Sequence, residues 1–262
     1  MKRFALCLPA VLLLSGCAQV FQGNAFQAID QPPALSASAI QGESDSTVVT
    51  QITSDSSFVK SLKSNPAALA AVQSVLKTGY TTSTSTTTVI TDAQAYITAT
   101  SGGSNAGAVV TSAMSQAQTL ANSPSASSAA TALTNMFAGQ TSDQIQATLT
   151  QFQNMSFAFS AMQGAATSGS TVNSTTFYGS APSKLNVAVT AALAASVNAF
   201  VAVNGGGSTG LANLSQALAS GTSFTTTGGA VDNLTAALSG TGSDPNTNQY
   251  AYLATVKSLV NT

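Results

Sequence analysis

The stretch SDQIQATLTQFQNMSFAFSAMQ, residues 142–163, decides the fold class of this 262-residue chain. Its large apolar side chains recur at spacings of 3 and 4, which is the period of one face of an α-helix. They are Ile145, Leu149, Phe152, Met155, Phe159 and Met162. Thr141 and Gln144 form the pattern of a capping box, in which each side chain bonds the backbone N–H of the other residue. The sequence therefore predicts a long amphipathic helix that begins at this box.

The second half of that apolar face is a Met/Phe stripe, which consists of Phe152, Met155, Phe159 and Met162. Such a stripe is most often part of a protein core, because Met and Phe side chains fill irregular interior space. A site for an apolar ligand between helices is the alternative. A sizeable cavity lined by the stripe would favour the ligand site, and a filled core would favour packing.

Helical patterns also dominate on both sides of this stretch. Asn65 and Pro66 are an N-cap and a first-turn proline, and Gly79 is expected just past the end of that helix. The segment 185–203 carries no charge, but its interrupting amides and hydroxyls favour a central buried helix over a membrane span. Further helices are predicted at 105–122, around 133–137 before Gly139, and at 209–219, 229–239 and 245–260.

Three threonine-rich runs interrupt the helical patterns. They are TTSTSTTTVIT from 81, VNSTTFYG from 172 and SFTTTGG from 223. Threonine is stiff at χ1 and favours extended chain, so loops are expected here, or the edges of a small sheet together with STVVTQIT from 46. The predicted fold class is mainly α: a single helical, bundle-like domain with Thr-rich loops and room for a small β element.

The N-terminus has the pattern of a secretory signal, with Lys2 and Arg3 followed by an apolar run from Phe4 to Leu14. That run is too short to cross a hydrocarbon core of about 30 Å as a helix. The last residue of that run and the three residues after it are Leu14, Ser15, Gly16 and Cys17. They resemble the lipobox of bacterial lipoproteins at all four positions. The resemblance covers about 20 residues and does not extend to the body of the chain.

The resemblance implies that a peptidase cuts before Cys17 and that acyl chains are attached to its sulfur and its new amino group. In the lipoproteins that are retained at the inner membrane, a residue such as Asp follows the lipidated cysteine. Ala18 stands at that position in this chain, which favours the outer membrane. The expected organisation is a signal peptide at 1–16, a lipidated N-terminus and flexible tether at 17–46, and a helical body at 47–262. Cys7 leaves with the signal, so the mature chain would have neither a disulfide nor a free thiol.

Charge is scarce in this composition. Charged residues are 6% of the chain, against about 25% in an ordinary soluble domain. Seven basic residues face eight acidic ones, which excludes a basic surface for nucleic acid. Adaptation to acid is one hypothesis for this composition, because few basic groups remain to repel each other when the carboxylates are protonated.

Catalytic and metal-binding groups are equally scarce. The chain has no histidine, which removes Ser-His-Asp triads and histidine metal sites, and no cofactor is expected. Asp92, Asp143 and Asp244 stand where helix N-caps belong, and Asp232 is the exception among the acids of the body. The remaining acids, Asp30, Glu43, Asp45 and Asp55, lie in or near the tether. We therefore expect no catalytic residues and no enzyme activity.

The leading functional hypothesis is a lipid-anchored cell-envelope protein with a non-catalytic structural, adhesive or assembly role. Its expected partners are the membrane, through the acyl chains, and another envelope protein. The alternative is an outer-membrane or periplasmic carrier or chaperone that holds an apolar ligand or partner between helices at the Met/Phe stripe. An enzyme that uses Asp or Ser alone is the third hypothesis.

Overall fold

The computed structural model describes residues 35–114, 126–167, 184–239 and 249–253. Regular secondary structure in these ranges is helical throughout, and they contain no strand. The eleven helices of the described ranges are α1 (Ala37–Gln41), α2 (Asp45–Ser54), α3 (Ser56–Leu62), α4 (Pro66–Thr82), α5 (Thr86–Gly103), α6 (Ala106–Met114), α7 (Ala126–Met136), α8 (Ser142–Thr167), α9 (Lys184–Val203), α10 (Gly207–Ser220) and α11 (Gly229–Ser239). The prediction of a mainly α fold is confirmed.

Helix α8 begins as its capping box predicts. The backbone N–H of Thr141 donates to Gln144 Oε1 at 3.1 Å, and the N–H of Gln144 donates to Thr141 Oγ1 at 3.4 Å. The six apolar residues of the predicted face are all at most 1% exposed. Helix α8 packs against α4, α5, α6, α9 and α10, so it is one axis of the core.

Helix α9 is the second axis and is buried on all sides. From Val189 to Val201 every residue except Ala192 is buried. The polar groups in it have partners: Ser196 donates to the carbonyl of Ala192 at 2.8 Å, and Asn198 Oδ1 accepts from Gln153 Nε2 at 3.4 Å. The predicted central buried helix is confirmed, because these internal bonds offset the cost of burying amides and hydroxyls.

No single described helix is long and apolar enough to cross a membrane. The pair formed by Val187–Val203 and Gly207–Ser220, which is bent by 105°, meets the length and composition that a span requires.

The threonine-rich run from 81 is mostly helical, contrary to the prediction of a loop, and STVVTQIT from 46 is helical rather than a sheet edge. The stretch from 46 lies in α2, and the run from 81 covers the end of α4, three connecting residues and the start of α5. The threonine hydroxyls donate to the carbonyl four residues earlier, as from Thr50 to Ser46 at 2.8 Å and from Thr91 to Thr87 at 2.7 Å. Burial of the interleaved Val and Ile side chains overrides the weak preference of threonine for extended chain. The run from 223 is irregular as predicted, and the run from 172 lies outside the described residues.

The folded body starts earlier than the expected boundary at residue 47. One compact unit of the chain begins at Ser36. Ser36 and Ser44 cap α1 and α2 by accepting the N–H groups of Ala39 and Thr47, and Ile40 of α1 is 3% exposed. Residues 36–46 therefore belong to the body rather than to a tether, because two serine caps and one buried isoleucine are sufficient to order this stretch.

The remaining helix predictions agree with the structure where it describes them. Helix α6 occupies the first half of the predicted 105–122 segment, and α10 and α11 match 209–219 and 229–239 within two residues. Gly139 ends the turn after α7 with a φ of 81°, a conformation that favours glycine. Most of the predicted helix at 245–260 lies outside the described residues.

Candidate functional site: a buried carboxyl pair

Asp92 is the most unusual ionisable residue of the described body. It was predicted to be an N-cap, but it lies inside α5, whose N-cap is Ser85. Only 2% of Asp92 is exposed. The prediction is wrong because the threonines before Asp92 are helical, which moves the helix start seven residues upstream. A buried carboxyl inside a helix needs a compensating partner or a proton.

Three helices meet at Asp92, and Gly79 of α4 makes the contact close. A Cβ atom added to Gly79 would overlap Asp92 Oδ2 and would lie 3.3 Å from Asp45 Oδ2 of α2. Gly79 does not end its helix, as the sequence led us to expect; α4 continues to Thr82 with Gly79 buried inside it. The missing side chain leaves the space that the two carboxyl groups occupy, so α2, α4 and α5 can approach one another here. We call Asp45 and Asp92 the carboxyl pair.

The electrostatics of the pair favour one retained proton. Burial, the negative charge of Asp45 and a hydrogen bond to Asp45 together raise the pKa of Asp92 to about 7, with burial the largest of the three causes. If both carboxyls were ionised, Asp92 Oδ2 would be buried with no hydrogen-bond donor among the described residues. A proton held on Asp92 and donated to Asp45 satisfies that oxygen. The raised pKa means that Asp92 keeps its proton to a higher pH than an ordinary aspartate does.

Asp45 has a different environment from Asp92. It is half-buried in the first turn of α2, where its Oδ1 accepts the N–H of Ser46 at 2.7 Å. The free N–H groups of a helix N-terminus favour a negative charge at this position. The two acids thus differ in their surroundings, since Asp45 lies at a half-buried helix start and Asp92 is enclosed in the core.

Three further buried polar atoms on the same helices have no hydrogen-bond partner among the described residues. They are Gln51 Oε1 on α2, Tyr80 OH on α4 and Gln94 Nε2 on α5. Burial raises the pKa of Tyr80 to about 12, and its ring packs edge-on against Tyr96 with centroids 5.7 Å apart. The contact of α2, α4 and α5 therefore contains buried polar atoms without hydrogen bonds, and each of them reduces the stability of the fold.

Of the other described acids, Glu43 is partly buried in the loop before α2 and accepts a hydrogen bond from Gln51, and the rest are exposed at helix starts. Asp55, expected near the tether, caps α3 by accepting the N–H groups of Ser57 and Phe58. Hydrogen bonds, first of all from the Ser57 hydroxyl, lower the pKa of Asp55. Asp143 and Asp232 lie in the first turns of α8 and α11. Asp143 is not itself the N-cap, because Thr141 has that role. Asp30 and Asp244 lie outside the described residues.

The Met/Phe stripe is enclosed by the body. Its four residues are at most 1% exposed. Phe159 stacks on Tyr252 with ring centroids 5.3 Å apart, and the Tyr252 hydroxyl lies 3.0 Å from that of Ser156 on the same helix. Phe159 thus faces a protein ring, which is the packing that a core residue requires. The ligand site at the stripe stays a prediction.

The predicted lipidation site lies outside the described residues. Leu14, Ser15, Gly16 and Cys17 all precede residue 35, where the described part of the chain begins. The structure therefore adds nothing to the inference drawn from these four residues.

No family model, no curated protein and no solved structure matches this chain. The chemistry of the candidate site must therefore be argued from its own residues. Asp92 is enclosed, so a substrate cannot contact its oxygens while α2, α4 and α5 remain packed. Among the described residues, no three acidic, histidine or cysteine side chains are grouped to hold a metal ion. What the carboxyl pair can do is to bind and release a proton.

Proposed function

We propose that this chain is a lipid-anchored protein of the bacterial cell envelope with a non-catalytic structural, adhesive or assembly role. The observation that carries the proposal is the order Leu14-Ser15-Gly16-Cys17 at the end of a short apolar run behind Lys2 and Arg3. Acylation at Cys17 would hold the body at a membrane surface, since two or more acyl chains anchor a protein stably where one chain alone does not. Ala18 supports the outer membrane as the destination.

The surface of the body is consistent with a role in contacts between proteins. Exposed threonine hydroxyls are bonded to their own helices, as from Thr81 to the carbonyl of Lys77 and from Thr82 to the carbonyl of Thr78. Such a surface is polar but nearly uncharged, so it costs little electrostatic repulsion to bring several copies or partners together on one membrane. This property supports a structural or assembly role over a role that attracts charged molecules.

Metabolic labelling with palmitate tests the anchor, and the chain contains its own control. The wild type and Cys7→Ser should incorporate the label, because Cys7 belongs to the part that is removed. Cys17→Ser should remain unlabelled and leave the membrane fraction or stay unprocessed. Equal labelling of Cys17→Ser and wild type would overturn the proposal.

The destination can be tested in the same cells. Sucrose-gradient separation of the two membranes should place the labelled protein in the outer-membrane fraction. Ala18→Asp should move it to the inner membrane, and Ala18→Asn should do so less. A wild-type protein found in the inner membrane would contradict the assignment to the outer membrane while leaving lipidation intact.

A further inference from the structure

We propose that the carboxyl pair Asp45–Asp92 is a pH-dependent latch, which fastens α2 to α4 and α5 while it holds a proton and loosens α2 when the proton is lost. The geometry carries this inference. The position that a Cβ atom of residue 79 would occupy overlaps Asp92 Oδ2 and lies 3.3 Å from Asp45 Oδ2, so both carboxyl groups border the same small space beside Gly79. Two negative charges confined there would repel each other at short range and in a poorly solvated contact.

Among the residues that the structure describes, no basic group is placed to relieve this repulsion. The helices that pack against α5 are α2, α3, α4, α6 and α8. The charged residues on them, within the described ranges, are Asp45, Lys60, Lys77 and Asp143. Lys60, Lys77 and Asp143 are exposed, and of the described charged groups Asp45 is the one that raises the pKa of Asp92. Tyr80 on α4 and Tyr96 on α5 are buried and neutral at physiological pH, since burial raises the pKa of both.

Of the three helices at the latch, α5 and α4 are the fixed ones. Gln73 of α4 donates to Thr100 of α5 at 3.0 Å and to Gln151 of α8 at 2.6 Å, which ties these helices to the core axis. The rings of Tyr80 and Tyr96 add a second contact between α4 and α5. Separation of these helices would therefore disrupt the central core.

Helix α2 is the element that can yield. It has only ten residues and turns at both ends, and only Val48 and Ile52 anchor it in the core. Gln51 of α2 has a buried side-chain oxygen without a hydrogen-bond partner among the described residues. Its side-chain N–H donates to Glu43 in the preceding loop at 2.9 Å. Short elements with few buried contacts open locally at lower free energy than the rest of a domain. Loss of the proton is thus expected to release α2 without unfolding α8.

The position of α2 gives the latch a consequence. Helices α1 and α2 are the first elements of the compact unit, directly after the N-terminal 35 residues. Helix α1 packs against α4 independently of α2, so release of α2 would leave α1 attached and open the segment between α1 and α3 when the surroundings are neutral. Acid would close this segment again, and the latch does not depend on the proposed lipid anchor.

Hydrogen–deuterium exchange of the full chain in a non-ionic detergent tests the latch. Samples at pH 5 and pH 8 are labelled for times scaled to the intrinsic exchange rate, and peptides from α2 are compared with peptides from α8. We expect the protection of α2 to fall on the order of tenfold or more between pH 5 and pH 8, with little change in α8. Equal protection of α2 at the two pH values would overturn the proposal.

Matched variants assign the effect to the pair. Asp92→Asn removes the titration but keeps the shape and offers an N–H donor to Asp45, so α2 should stay protected at pH 8. Asp143→Asn is the control, since it removes an exposed acid, and it should keep the wild-type response. Retention of the wild-type response by Asp92→Asn would overturn the proposal.

A spectroscopic signature keeps the proposal testable if Asp92→Asn does not fold. The infrared C=O stretch of a protonated carboxylic acid should be present in the wild type at pH 6 and absent at pH 9. Asp45→Asn, which removes the like charge, should retain protected α2 at pH 8. Absence of a protonated carboxyl at pH 6 would rule out the latch. These readouts do not involve acylation, so failure of the latch and failure of the anchor are distinguishable.

Discussion

Replacement of Asp92 by Asn should change the pH dependence of stability, and the sign follows from linkage. Below pH 3.8 Asp92 is protonated in both the folded and the unfolded chain. Between pH 3.8 and about 7 the unfolded chain loses this proton while the folded chain keeps it. The free energy of the unfolded state therefore falls relative to that of the folded state as pH rises, so the stability of the wild type decreases across this window and levels off above it.

The magnitude can be worked from the same values. Each tenfold change in an ionisation constant is about 1.36 kcal/mol. A pKa that moves from 3.8 to about 7 thus corresponds to about 4 kcal/mol between pH 3 and pH 8. This is a large share of the roughly 5–15 kcal/mol that stabilises a typical domain. Asp92→Asn should be more stable than the wild type at pH 8 by a few kcal/mol and should differ from it by roughly 1 kcal/mol or less at pH 4.

Urea unfolding followed by far-UV circular dichroism at pH 4, 6 and 8 measures this directly. The chain has no tryptophan, so the helical signal is the appropriate probe. Asp143→Asn should show the wild-type profile, because its side chain is exposed. A wild-type stability that is constant from pH 4 to pH 8, or an Asp92→Asn chain that is less stable than the wild type at pH 8, would refute the reasoning. The expected profile has the direction that the acid-adaptation hypothesis requires.

Two substitutions test the packing, each with a control on the same scaffold. Gly79→Ala should destabilise the body by about 2–3 kcal/mol, because its Cβ would overlap the Asp92 carboxyl. Gly164→Ala, whose Cβ would meet open space inside α8, should stabilise it by about 0.5–1 kcal/mol, and equal effects of the two would contradict the close contact. Phe159→Ala should cost about 3–5 kcal/mol by urea unfolding, since it is fully buried against Tyr252. Phe157→Ala, which removes a ring that is 44% exposed on the same helix, should cost about 1 kcal/mol or less, and a similar loss from both would place the stripe outside the core.

The sequence predicted the helices whose apolar period is long and whose caps are local. Helix α8 and its capping box are examples, because the signals lie within a few residues of each other. Threonine propensity, which favours extended chain, does not predict helices α2 and α5. Their stability comes from tertiary burial of Val48, Ile52 and Val89, which no local pattern of threonines shows.

The carboxyl pair could be predicted only in part. Once 86–103 is taken as a helix, Asp92 falls three residues after Val89 and four before Tyr96, on the apolar face, and that position signals a buried acid. The partnership with Asp45 and Gly79 had no signal in the sequence, since the three residues are far apart in the chain and meet only through the packing of α2, α4 and α5.

The enclosure of α9 also affects the order in which the chain can fold. A growing chain must reach residue 184 before the helix that five other described helices contact begins to emerge, so those parts of α6, α7 and α8 that pack on α9 stay uncovered until then. Cooperative folding therefore waits for the last third of the chain, and a chain that stops before residue 203 lacks its core. Truncation of the C-terminal third should therefore damage the fold more than loss of the N-terminal 35 residues does.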